Sequence, residues 1–254
     1  MIKVSLKDGS ILEVEKGSSI LDVAKKISEG LARVATCGEI DNEIKDLRYE
    51  IKEDCNLVIH TFNNDDLDGK KAYWHTTSHI MAQAVKRLFP DVKFAIGPSI
   101  DEGFYYDFDV EKPFTDEDKE KIEQEMKKII KENIKIERFS LPKQEALELM
   151  EGQPYKQELI NELPEGEEIS FYKQGDFTDL CAGPHLESTG KVKTVKILSS
   201  SGAYWRGSEK NKMLQRIYAI SFPKASLLEE YMQILEDRKA RDHRKIGKDL
   251  ELFM

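Results

Sequence analysis

The spacing of apolar side chains changes period once within the first thirty residues, and that change limits the fold more than any other feature. In IKVSLKDGSILEVEKGSSI, apolar and polar residues alternate on both sides of Asp8-Gly9, the two-residue period of strands joined by a tight hairpin. In ILDVAKKISEG the apolar residues fall three and four apart, a helical period, with Ser18 or Ser19 as its amino-terminal cap and Gly30 as its stop. ARVATCGEI, a turn at Asp41-Asn42 and NLVIHTF continue the strand pattern. A chain that opens strand, strand, helix, strand and closes with a strand predicts a small mixed sheet crossed by one helix, the order of a ubiquitin-like β-grasp.

The polar stretch NNDDLDGKKA ends this unit, and a run rich in Asp, Asn and Gly is where a boundary is expected. WHTTSHIMAQAVKRLF then predicts an amphipathic helix whose buried stripe is Ile80, Ala84, Val85 and Leu88. An aromatic strand, FAIGPSIDEGFYYDFD, precedes a long helix from Thr115 to about Asn133. Thr115 caps that helix, Asp116, Glu117 and Asp118 face the positive end of its dipole, and Ile122, Met126, Ile129 and Ile130 form its stripe. Two short helices, KQEALELM and YKQELINEL, are parted by the break from Gly152 to Pro154, and strands follow at EISFYKQ, KTVKILSS and LQRIYAISF. Strands and helices are segregated rather than strictly alternating, which predicts an α+β fold. From Pro223 a charged helix runs to the end with sparse apolar residues and no stop signal, as though another domain follows. The expected organisation is a β-grasp domain at 1–62, an α+β domain at 63–223 and a linker helix at 224–254.

No apolar run approaches the roughly 18 to 20 residues that span a bilayer, and MIKVSLKDGS has no signal-peptide core. Cys37, Cys55 and Cys181 are an odd number of cysteines, which fits reduced thiols in a cytoplasm better than a disulfide framework. A net charge of −9 argues against a surface that grips nucleic acid everywhere. The basic runs GKVKTVKIL and DRKARDHRKIGK are either local phosphate contacts or solvated faces.

The chain has five histidines, two of which, His75 and His79, stand four apart. On a helix they share one face and converge on one ion or ligand, although a histidine in a first turn can also cap the helix or face water. GDFTDLCAGPHLES adds Cys181 and His185, again four apart, on a Gly-Pro loop. Three imidazoles and one thiolate suit tetrahedral Zn²⁺, yet four protein ligands leave no position for a reacting water. The set is therefore either a zinc site or a metal-free cluster that positions a water and a substrate.

WHTTSHIMAQAV, AIGPSIDEGFYYDFD and FTDLCAGPHLESTGKV resemble the editing domain of bacterial threonyl-tRNA synthetases, shared in outline by alanyl-tRNA synthetases and free-standing alanyl-editing proteins. The front unit resembles the TGS domain of the same family, and DHRKIGKDLELF resembles the linker helix entering its catalytic domain. The resemblance implies hydrolysis of serine wrongly esterified to threonine tRNA. Serine lacks one methyl of threonine, worth only about 1–3 kcal/mol of discrimination, so a second site is needed. The implied core is His75, His79, Cys181 and His185, with Asp179 in the same loop and Lys156, in PYKQELI, as the catalytic lysine. Buried beside histidines, such a lysine is expected to have a depressed pKa. Tyr106 and the backbone around Gly97 are the implied substrate contacts. Direct attack by water is expected, with covalent attack by Cys181 as the alternative.

Further expectations follow from the resemblance. No cofactor is required for editing, zinc is possible at the four donors, and ATP and magnesium serve only a catalytic domain outside this chain. The partners are tRNA(Thr), above all its aminoacylated 3′ end, serine as product, no membrane, and a second subunit met through the other domains; the compartment is cytoplasmic. The rival classes are a metal-dependent hydrolase of small molecules and a non-catalytic RNA-binding module.

Overall fold

The computed structural model describes residues 1–240. Its first unit comprises β1 (Ile2–Leu6), β2 (Ile11–Val14), α1 (Ile20–Ile27), α2 (Glu29–Val34), β3 (Ala35–Ile40), β4 (Glu43–Lys45) and β5 (Cys55–Thr61). The strands form one sheet in the order β2-β1-β5-β3-β4, with β1 parallel to β5 and the other pairs antiparallel. Val4, Ile20, Val23, Leu47 and Leu57 form its core, and the arrangement is the expected β-grasp. Ser19, not Ser18, caps α1 and exchanges bonds with Asp22 in a reciprocal box. Gly30 does not stop the helix: Ser28 closes α1 and, by accepting the Leu31 N–H at 3.0 Å, starts α2. Asp41 and Asn42 both have positive φ, 48° and 72°, which turns β3 back into the short β4.

The second unit comprises α3 (Leu67–Leu88), β6 (Lys93–Phe94), β7 (Phe104–Asp109), α4 (Asp116–Glu132), β8 (Ile136–Leu141), α5 (Lys143–Leu149), α6 (Pro154–Glu162), β9 (Ile169–Gln174), β10 (Phe177–Leu180), β11 (Thr194–Tyr204) and β12 (Met213–Phe222), and α7 (Ala225–Ala240) follows, packed against β11 and β12. The unit holds two antiparallel sheets, β11-β12-β7-β6 and β10-β9-β8. Helices α3 and α4 pack together over the first sheet, burying Ile80, Met81, Phe104, Tyr106, Phe108 and Met126 in one core. A smaller core of Ala146, Ile160 and Phe171 joins α5 and α6 to the second sheet. The fold is α+β.

Several elements differ from expectation. Helix α3 begins at Leu67 rather than near Trp74, because Asp66 in the polar stretch caps it and accepts the Gly69 and Thr61 N–H groups at 2.9 Å. His75 consequently lies in mid-helix instead of the first turn. The helix is also buried nearly all round, with Thr76, Thr77 and Ser78 satisfied by bonds to Ala72, Tyr73 and Gly97 carbonyls. The aromatic segment is two strands, β6 and β7, with Gly97 in the loop between them. Strands β4, β8 and β10 are additional to those expected, and α7 is described only to Ala240. The segment DHRKIGKDLELF lies outside the described residues. No described helix is long and apolar enough to cross a membrane.

Candidate active site

The middle of α3, from Ala72 to Val85, is packed into the core beside β10, so the histidine face of α3 and the loop after β10 meet. His75 and His79 come from consecutive turns of the helix, with ring centroids 5.2 Å apart. Both rings pack on His185, at 4.5 and 4.3 Å. Cys181 Sγ lies 3.4 Å from His75 Nε2 and 3.1 Å from His185 Nε2, and it accepts the Gly183 N–H at 3.2 Å. The loop can close this tightly because Gly183 has φ of +82° and a Cβ there would lie 2.2 Å from the Tyr172 hydroxyl. All four donor groups fall within 4.8 Å of one another.

Against this cluster stands a buried ion pair. Lys156 sits in the first turn of α6, where Pro154 starts the helix, and its Nζ is 2.6 Å from Asp179 Oδ1. The other carboxylate oxygen accepts the Tyr106 hydroxyl at 2.6 Å and faces His79 Nε2 at 3.7 Å. Tyr106 stands behind Asp179 in the core, fully buried. Gly97 touches the Tyr106 ring, where any Cβ would come within 2.1 Å of the ring carbons, and its carbonyl accepts the Ser78 hydroxyl at 2.6 Å. All eight residues expected from the sequence thus form one connected cluster. His79, Lys156, Asp179 and His185 are buried, whereas His75 and Cys181 are only partly covered and form its accessible edge.

The electrostatics follow from burial. Burial pushes His75 down to about 3, reinforced by His79 and the Lys156 ammonium against an opposing pull from Asp179. It likewise pushes His79 down to about 4 and His185 well below its ordinary value. At neutral pH the three imidazoles are therefore uncharged. Burial pushes the Cys181 thiol up to about 12, so it keeps its proton and is a weak nucleophile. For Asp179 burial opposes ionisation, but the Lys156 charge, His79 and the bonds from Lys156 and Tyr106 outweigh it and hold the carboxyl below the usual range. The site combines neutral acceptors and donors with one buried ammonium whose counter-charge is fixed.

Three residues without a sequence signal also shape the site. Tyr172 of β9 packs its ring on His185 at 4.3 Å. Its hydroxyl donates to Asp46 of the first unit at 3.0 Å, and the neighbouring Arg48 reaches the same loop. His185 Nδ1 is buried with no hydrogen-bond partner among the described residues.

Two family models match parts of the chain. The TGS domain family matches residues 2–61, and the family described as the threonyl and alanyl tRNA synthetase second additional domain matches residues 169–218. The second match takes in Asp179, Cys181 and His185 but not the α3 histidines or Lys156. The threonine–tRNA ligase of Acetivibrio thermocellus is 64% identical over 255 residues, covering 100% of this chain and 40% of that protein. Those of Caldanaerobacter subterraneus subsp. tengcongensis and Clostridium tetani are 62% and 61% identical, over 98% and 100% of this chain and 39% and 40% of theirs. The chain spans about 40% of the length of the curated relatives it matches.

Proposed function

Because this chain belongs, from end to end, with the amino-terminal part of the threonyl-tRNA synthetases, we propose that it hydrolyses the ester of serine wrongly attached to threonine tRNA. The observation that carries the proposal is the pairing of three neutral imidazoles and a protonated thiol with the Lys156–Asp179 ion pair, open at the His75 and Cys181 edge. Ester hydrolysis needs a held water, a source of positive charge for the carbonyl oxygen and a route for one proton.

We assign the roles as follows. A water oxygen attacks the ester carbonyl carbon, the bond from that carbon to the tRNA ribose oxygen breaks, and the proton lost by water ends on the ribose oxygen. His75 and His79 are so weakly basic that they serve as acceptors that orient the water, with the departing ribose oxygen taking its proton. Lys156 stabilises the developing oxyanion or holds the ribose, and Asp179 keeps that ammonium in position. Tyr106 fixes Asp179 from behind and, being fully buried, supports the site through it. The raised thiol pKa of Cys181 argues for water over covalent attack.

His75, His79, Cys181 and His185 also fit Zn²⁺ in donor type and number, and bound by them the ion would supply Lewis acidity. We propose a site that works without it, since four protein ligands would occupy the groups assigned to the water. The division into domains at 1–62, 63–223 and 224–254 is proposed with the function, as are a cytoplasmic setting and the aminoacylated tRNA(Thr) 3′ end as partner. Threonine ligation with ATP and magnesium, and pairing into a homodimer, we assign to the whole protein of this family.

The test is deacylation of seryl- and threonyl-tRNA carrying the threonine acceptor. The chain should release serine and spare threonine, because a pocket fitted to the smaller side chain meets the extra methyl as a clash. Equal hydrolysis of both, or hydrolysis of small serine esters as readily as of the tRNA, refutes the proposal.

A further inference from the structure

Metal-binding and catalytic histidines are ordinarily oriented by a hydrogen bond to the second ring nitrogen. His185 lacks one: Nδ1 is buried without a partner, while Nε2 faces Cys181 at 3.1 Å. Its ring must therefore be held by its own backbone and by what it packs against. The His75 and His79 rings of α3 pack on it at 4.5 and 4.3 Å, and the remaining supports, its backbone bonds and the Tyr172 ring, trace to the first unit. Asp46 Oδ2 accepts the His185 N–H at 3.3 Å, and Arg48 donates to the His185 carbonyl at 3.2 Å through Nη1 and to the Leu186 carbonyl at 2.6 Å through Nη2. The same Asp46 oxygen accepts the hydroxyl of Tyr172, whose ring lies against the His185 ring.

Asp46 and Arg48 are themselves locked together, with Nη1 at 2.7 and 2.8 Å from the two carboxylate oxygens and the Arg48 N–H bonded to Asp46 at 2.9 Å. Leu47 between them is fully buried in the β-grasp core. The pair is thus anchored on one side in that core and grips the His185–Leu186 peptide on the other. From within the second unit, Thr76 Oγ1 accepts only the Leu186 N–H, at 2.9 Å.

We propose that Asp46 and Arg48 are positioning residues for His185, so that the β-grasp unit completes the deacylation site instead of merely preceding it. The inference rests on the function proposed above for the reaction it serves, though not for the geometry it describes. A support of this kind, removed from a ligating or catalytic histidine, ordinarily costs about 10- to 100-fold in activity.

The experiment uses the 254-residue chain with Asp46→Ala and Arg48→Ala, the conservative Asp46→Asn and Arg48→Lys, and Lys191→Ala as a control. Lys191 bonds the Arg33 carbonyl across the same junction at 3.4 Å but touches no site residue. Two readouts are taken: single-turnover deacylation of seryl-tRNA as a function of enzyme concentration, and the imidazole NMR signals of His185, with His60 as internal reference. Asp46→Ala and Arg48→Ala should lower the saturating rate about 10- to 100-fold, leave half-saturation within about twofold and shift or broaden the His185 signals. The conservative variants should fall in between, and Lys191→Ala should match the unsubstituted chain. If an alanine variant does not fold, the conservative pair decides by the same two readouts. Unchanged His185 signals and rate in every folded variant overturn the proposal, as does an equal loss in Lys191→Ala. Absence of deacylation by the unsubstituted chain defeats the functional reading alone, and the His185 signals then decide this inference.

Discussion

Substituting Lys156 by Met should destabilise the second unit strongly at neutral pH and much less in acid. The Lys156 and Asp179 side chains are 4% and 3% exposed, so solvent hardly screens their 2.6 Å contact. Removing one partner of such a pair leaves a buried, uncompensated charge, at a cost of about 3–5 kcal/mol. The pH dependence has a definite sign. In the unsubstituted chain the Asp179 carboxyl is held below its ordinary value, with burial opposed and outweighed by Lys156, so it contributes stability above the aspartate range that fades on acidification. Without Lys156, burial dominates, the folded-state carboxyl titrates above its unfolded value, and the penalty eases as pH falls and the group takes up a proton. The loss should therefore be largest near neutrality and shrink toward the aspartate range, and adding Asp179→Asn should recover a good part of it. Trp74 and Trp205 are both buried in the second unit, so urea unfolding followed by tryptophan fluorescence reads it directly. A loss below about 1 kcal/mol at neutral pH, or one that does not vary with pH, refutes the reasoning.

Two other outcomes are expected. Since His75 and His79 stay neutral down to about 3 and 4, the single-turnover rate on seryl-tRNA should be flat from neutral pH into mild acid; an acid limb centred on the ordinary histidine value would contradict the roles assigned to them. Cobalt(II) should bind the four-donor cluster and displace the Cys181 proton, so its affinity, read from thiolate-to-metal absorption, should rise with pH, while chelation should leave deacylation intact. Stoichiometric zinc whose removal abolishes activity and whose return restores it would reverse the metal-free proposal.

What was legible in the sequence was local in origin. The Asp8-Gly9 hairpin, the Thr115 cap and the end of α4 near Asn133 each depend on a few neighbouring residues. The four-donor cluster was legible because each pair is spaced four apart, one pair on a helix and the other on a constrained loop. The start of α3 was not, since DLDGKKA is polar and its cap, Asp66, is tied to β5. Strand β10 escaped because four residues after a Gly-Asp turn carry little periodicity, although it presents Asp179. The burial of Tyr106 against Gly97 and its bond to Asp179 were not legible, because they are set by packing between distant segments. No spacing rule could have joined Asp46 to His185, which are 139 residues apart.

The junction between β5 and α3 has a consequence for how much strength the grip on His185 requires. Strand β5 ends at Thr61 and α3 begins at Leu67, so only residues 62–66 separate them, with Asp66 bonded to both sides. A tether this short keeps the two surfaces at an effective concentration on the order of millimolar or above. A handful of hydrogen bonds, far too few to hold two independent proteins together, stays closed under those terms because reopening gains almost no translational freedom. The Asp46–Arg48 contact can therefore be modest in energy and still be made nearly all the time, and a substitution that weakens it tenfold would disturb the geometry of His185 long before it separated the two units.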